Sequence, residues 1–205
     1  MILRTLHGTS ALVIVAFASV HIANHLVALA GASSHIKFME AARSVYRVPG
    51  VETLLWVCIA LQGVSGLTFI ARDWKQRRGF VPWLQAASGG YLALFLLIHV
   101  SAIVFGRAVL KLDTNFYFAA AGLHVSPFEL FFAPYYFLAV VALFTHLGCA
   151  AYRRLQARSR AIRTLPLALA VPVGCGVSLL IVLALTGVPT PVEVPPQYQA
   201  IYARR

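Results

Sequence analysis

Val20-His-Ile-Ala-Asn-His-Leu26 lies inside the first long apolar run of the chain, and its reading decides the fold. His21 and His25 are four residues apart, so a helix places both on one face, with Asn24 beside them. Lipid satisfies none of these groups, so the face looks into protein, water or a cofactor. Two imidazoles suit iron, copper or zinc. The plainer reading is an interhelical hydrogen bond, since Asn and His often join membrane helices in that way.

The surroundings fix the class. Of 205 residues, 60% are hydrophobic and 11% charged, against roughly 25% charge in a soluble domain. Long apolar runs replace the missing charge, and the expected fold is an all-α integral membrane bundle forming one domain over residues 1–205. The net charge of +11 does not indicate a nucleic-acid partner. The basic residues lie between the runs, where they set topology and meet anionic lipid. Cys58, Cys149 and Cys175 fall inside apolar runs without metal-ligand spacing, so they are expected to pack rather than to form a disulfide. The first run is too long for a signal-peptide core and is expected to be retained.

Five spans of about 20 residues are expected near 8–31, 50–71, 86–109, 127–151 and 166–187. Pro49, Pro82, Pro127 and Pro166 mark four of the starts, as suits a residue without an N–H. Pro134 and Pro172 lie deeper and are candidates for kinks. One side of the membrane carries Arg4, Arg72, Lys75, Arg77, Arg78, Arg153, Arg154, Arg158, Arg160 and Arg163. The other carries Lys37, Arg43, Arg47, Arg107, Lys111, Arg204 and Arg205. This bias places the N-terminus in the cytoplasm and the C-terminus outside, as in a bacterial inner-membrane protein.

Residues 33–47 read as a short amphipathic outer helix, with Ser34 as its cap and Phe38, Met39 and Val45 on the bilayer surface. The second outer loop, 110–126, holds Asp113, Asn115, Tyr117 and His124, and Glu129 opens the next span. Two readings stand for this polar outer face. One is a rim of interfacial anchors; the other is a pocket for a small or anionic molecule lined by Arg43, Arg47, His124 and Glu129. The Pro-rich segment after the fifth span is expected to be extended unless it docks.

Two further spans carry histidine, at His99 and His146. At about 1.5 Å per residue, His21 and His99 each lie roughly 3 Å outward of their expected span centres, and His146 about 10 Å inward of its own. A pair at one depth on separate helices is what a bis-imidazole haem requires, and a bundle core is where such a cofactor sits. Tyr135, Ala139, Ala142 and Ala150 share the face of His146. Small side chains there leave room for a flat ring or allow close helix packing.

His7-Gly-Thr-Ser10, His21-Ile-Ala-Asn24, Pro49 with Glu52, Gly89-Gly90 with His99, and His146-Leu-Gly-Cys149 follow one another in order. In that order and spacing, residues 7–152 resemble the cytochrome b membrane subunit of succinate dehydrogenase and fumarate reductase, in its one-chain, five-helix, two-haem form. The resemblance implies an outer haem held by helices one and three, hence by His21 and His99. It also implies an inner haem held by helices two and four. The helix-two position, four residues before Gly66-Leu67, is Gln62 rather than His, which leaves His146 without its implied partner and the inner haem absent or five-coordinate.

Three functional readings follow. The first is a membrane cytochrome b with one haem b, exchanging electrons with quinone or a redox partner subunit; His25 is then a neighbour of the ligand His21, an alternative ligand or a quinone hydrogen-bonder. The second is a haem-free protein that binds a lipid, metal or anionic ligand at the outer face. The third is an interaction subunit of a larger complex or a homo-oligomer. No flavin or nucleotide signature and no iron–sulfur cysteine run is present, so dehydrogenase chemistry would belong to another chain.

Overall fold

The computed structural model describes residues 2–203, so the expected outer cations Arg204 and Arg205 lie outside the described residues. Among these the chain forms eight α-helices and no strand. They are α1 (Ile2–Val27), α2 (Ala32–Tyr46), α3 (Pro49–Arg72), α4 (Phe80–Ala108), α5 (Phe116–Ala120), α6 (Glu129–Arg154), α7 (Arg160–Leu185) and α8 (Pro196–Ala203). Five of them, α1, α3, α4, α6 and α7, are long and apolar enough to cross a bilayer. The architecture is the expected all-α membrane bundle.

The helices overrun the apolar runs that announce them, because hydropathy marks the depth of lipid whereas backbone hydrogen bonding continues into the headgroup layer. Thus α1 and α4 begin about a turn and a half before the expected residues 8 and 86. The fifth span starts at Arg160 rather than near Pro166: Ser159 caps it by accepting from the Ile162 N–H at 3.5 Å. Pro166 and Pro172 both fall inside α7, and Pro134 inside α6. Pro49 does occupy the first turn of α3.

The long helices form a ring. α1 packs on α3, α3 on α4, α4 on α6 and α6 on α7, while α7 meets α1 and the 3-10 turn Ala28–Ala30 that continues α1. α1 and α4 each lean on α3 rather than on one another. A compact monomer of 22.3 kDa exposes about 9,400 Å², whereas this chain exposes 11,858 Å².

The tightest packing is at the end of the bundle that carries α2 and the 110–126 loop, the end expected to face outward. The 110–126 loop folds inward, burying Phe116, Ala120, Ala121 and Leu123 against Ala28, Ile181, Ala184 and Leu185. The segment after α7 runs without helix to residue 195 and docks on this cluster through Val194 and Tyr198. The expected extended tail therefore ends in a helix seated on the bundle. Above α1, Gly31 breaks the chain at φ 104°, where a glycine is favoured, and stands at the N-cap of α2. Ser34 is not the cap: its hydroxyl donates to the Ala30 carbonyl. On α2, Phe38 and Val45 face outward as expected, but Met39 is only 5% exposed and joins His35 and Arg43 on the buried face. The spacing 35, 39, 43 is that of one helical stripe.

Candidate functional site

His21 on α1 and His99 on α4 meet across the interior, with ring centroids 6.1 Å apart and planes at 68°. Each is seated in the same way. Phe17 stacks on His21 at 5.6 Å and Phe95 stacks on His99 at 5.1 Å, with interplanar angles of 14° and 15°. Each Phe is one helical turn inward of its histidine, so the pattern Phe-x-x-x-His occurs twice in the sequence, at 17–21 and 95–99. Both histidines lie five residues outward of the midpoints of their spans, Ile2–Ala30 and Phe80–Ala108, about 7–8 Å. The longer helices move the pair outward but keep its two members level.

The residues fit a haem iron. Two metal–nitrogen bonds of about 2 Å and two ring radii of about 1.2 Å separate bis-imidazole centroids by about 6.4 Å. No hydrogen bond or ion pair engages either ring among the described residues, and neither presents a fully occluded, unpaired nitrogen. Both are half-buried. Two imidazoles at this spacing suit a planar macrocycle, with His25, 4.7 Å from His21, as a further ring beside the pair. A bare ion asks for three or four donors, and among the described residues no three His, Cys, Asp or Glu side chains converge to hold one.

Outward of this pair is a polar cluster only half legible in the sequence. His25 packs edge-on to His21 at 4.7 Å, and its ring lies 5.2 Å from that of His35 on α2. Asn24 Nδ2 is 3.1 Å from His35 Nε2. Asn24 Oδ1, His25 Nδ1 and His35 Nδ1 are occluded and without partners. Burial, with His21 and Arg43 nearby, lowers the pKa of His35 to about 4, so the ring is neutral at physiological pH. A void of about 10 Å³ opens beside His21 and Asn24, against Phe17, Met39 and Tyr46, which is the size of one water. The sequence signal for His35 was its place in the 35–39–43 stripe.

The four outer residues considered for a pocket find separate partners. Arg43 is buried and pairs with Glu40 at 2.7 Å and Asp113 at 2.9 Å, tying α2 to the second outer loop. His124 Nε2 donates to the Leu185 carbonyl at 2.9 Å. Glu129 opens α6 with Oε2 occluded and unpaired. Arg47 is half-buried. No hydrogen bond or ion pair joins any two of the four.

At the inner end, His146 on α6 presses against α4: its Nδ1 lies 3.1 Å from the Gln85 carbonyl, and a Cβ on Gly89 would come within 2.9 Å of its Cε1. Gln62 donates through Nε2 to the His7 carbonyl at 2.6 Å and to Ser10 Oγ at 2.7 Å, so its amide joins α3 to α1. Compared with known proteins, the chain matches no protein-family model, no curated protein and no solved structure.

Proposed function

We propose that the chain is a membrane-embedded, b-type cytochrome-like protein that holds a haem b between His21 and His99 and exchanges electrons with quinone or a redox partner. The observation that carries this reading is the level pair of free imidazoles at 6.1 Å, each backed by a stacked phenyl ring. When bound, the haem supplies one-electron chemistry. The chain supplies axial ligands, burial and position, which set the potential. Phe17 and Phe95 fix the ring planes of the ligands. His25, Asn24 and His35 border the outward side with polar groups, and the Arg43 charge beyond them is compensated by Glu40 and Asp113.

The orientation belongs to the same proposal. Among the outer cations, Arg43 is paired with Glu40 and Asp113, and Arg107 with Glu52 at 2.7 Å. The loop carrying Lys75, Arg77 and Arg78 presents Trp74 and Trp83 around the Arg77 guanidinium, 5.9 and 5.0 Å from the ring centroids. Such an aromatic and basic surface suits an anionic cytoplasmic leaflet. The proposed setting is a bacterial inner membrane with the N-terminus inside.

The test is an optical spectrum of protein produced with ample haem supply, oxidised and then reduced with dithionite. Sharp b-type bands that His21→Ala and His99→Ala each abolish or convert to a five-coordinate form are expected, with His25→Ala leaving them in place. A haem-free protein, or an unchanged six-coordinate spectrum in both variants, refutes the reading.

A further inference from the structure

The turn that joins α6 to α7 carries charge of one sign only. No acidic residue occurs between Glu129 and Glu193, yet Arg153, Arg154, Arg158, Arg160 and Arg163 crowd around this turn. Arg153 reaches across to α4, where its Nη1 donates to Gln85 Oε1 at 3.1 Å. Arg154, Arg158 and Arg160 are exposed, and no side-chain hydrogen bond or ion pair engages them among the described residues. Arg163 is half-buried, with its guanidinium 5.1 Å from the centre of the Tyr152 ring and its Nε occluded without an acceptor. At the opposite end of the bundle Arg43 and Arg107 find carboxylates within the chain. At this end the counter-charge has to come from outside it.

Beside these cations the surface is hollowed. Gly148 lets α6 and α7 approach closely: a Cβ there would stand 2.6 Å from the Ala170 Cβ and 3.3 Å from the Leu167 Cα. Larger side chains flank this contact, and a groove of about 310 Å³ runs between Phe144, Leu147 and Ala151 of α6 and Pro166, Leu169 and Val173 of α7. Every residue that lines it is apolar. Leu147, Leu169 and Val173 are exposed, so the groove opens away from the bundle, where lipid lies. From Phe144 to Ala151 it is about 10 Å long, two-thirds of one leaflet of a roughly 30 Å hydrocarbon core.

The groove and the cations belong together because the same helical stripes carry both. On α6, Leu147 and Ala151 are followed one turn later by Arg154; on α7, Val173, Ala170 and Pro166 are preceded one turn earlier by Arg163. The two arginines therefore lie at the same end of the groove, where the helices leave the apolar layer. A matching ligand has an apolar chain of leaflet length joined to an anion at the membrane surface. A guanidinium stays charged and meets phosphate oxygens with paired N–H donors. We propose that this is a binding site for one anionic phospholipid, with an acyl chain in the α6–α7 groove and the phosphate on Arg154 and Arg163. A zwitterionic lipid would fill the groove equally but bring its ammonium into a cluster of uncompensated cations. The inference goes beyond the haem reading and does not depend on it.

The test is native mass spectrometry of the intact protein, released from detergent micelles doped with phosphatidylglycerol or with phosphatidylcholine of identical acyl chains. One phosphatidylglycerol per chain should be retained in preference to phosphatidylcholine. Arg154→Gln with Arg163→Gln should weaken retention roughly thirtyfold, and Arg154→Gln alone, at an exposed position, roughly fivefold. Ala151→Phe should lower retention by filling the groove with every charge kept. Arg72→Gln with Arg78→Gln, which removes two cations from the α3–α4 loop, should leave it unchanged. Equal retention of the two lipids, full retention in the Ala151→Phe or the Arg154 and Arg163 variants, or an equal loss in the Arg72 and Arg78 variant overturns the inference, since each would make the contact general solvation by lipid.

Discussion

Asp113→Ala should destabilise the protein more than Arg43→Met, although the two substitutions remove the same ion pair. Arg43 is 6% exposed, while Asp113 and Glu40 are 45% and 57% exposed. Breaking a buried pair from one side costs roughly 3–5 kcal/mol, because a buried charge is left uncompensated. Glu40 still contacts the guanidinium and water still reaches it past the exposed carboxylates, so about 2 kcal/mol is expected for Asp113→Ala. Arg43→Met leaves two carboxylates that are largely hydrated already, fills the volume with an apolar chain and removes an unpaired Nε. Its cost should be no more than about 1 kcal/mol. In a chain of this length ~2 kcal/mol is roughly 4–8 °C in the unfolding midpoint. Thermal unfolding of both variants in one detergent measures the asymmetry. Equal losses, or a larger loss for Arg43→Met, would show that the pair is solvated and that α2 is not pinned by a buried cation.

Other expectations follow from single sites. A Cβ on Gly122 would overlap the Phe132 ring, whereas one on Gly176 meets nothing. Gly122→Ala should therefore lose about 1–3 kcal/mol in the same assay and Gly176→Ala nothing; similar behaviour of the two would contradict the packing of the outer loop. His35 has its pKa lowered to about 4, first by burial. Between pH 6.5 and 4 the unfolded chain takes up a proton that the folded chain refuses, so stability falls with pH across that window. His35→Gln should show a shallower fall between pH 7.5 and 5 than the wild type, and identical slopes would place His35 in water. Lys75→Cys should react with an impermeant maleimide only from the cytoplasm and Lys111→Cys only from outside; the reverse labelling inverts the topology.

The spans and the level pair His21 and His99 were legible because a membrane helix is written in long apolar runs, and an imidazole inside one stands out. The ends were not. α7 begins six residues before Pro166 because Ser159 supplies a cap, and a hydropathy pattern carries no such signal. Phe116 was illegible for another reason. An aromatic-rich outer loop reads equally as an interfacial rim, and only the three-dimensional return of the chain between α2 and α7 makes it the best-buried ring. Met39, an apolar residue of an amphipathic segment, reads as a bilayer anchor but faces inward, since the buried stripe of α2 is the one bearing His35 and Arg43. The repeated Phe-x-x-x-His was present in the sequence throughout, and it gains meaning when both phenyl rings are seen stacked on their histidines. Gln62 stood out as a departure, but its bonds to α1 depend on a helix pairing that spacing does not give.

The docking of residues 194–198 on the outer cluster has a consequence for assembly. This segment follows all five long helices in the chain, so it leaves the ribosome after them. Until then Phe116, Ala121 and Leu185 lack the Val194 and Tyr198 side chains that cover them. During synthesis the bundle therefore passes through a stage with its helices inserted and its outer cluster unsealed, and the last stretch of chain closes that cluster only after every span has been made.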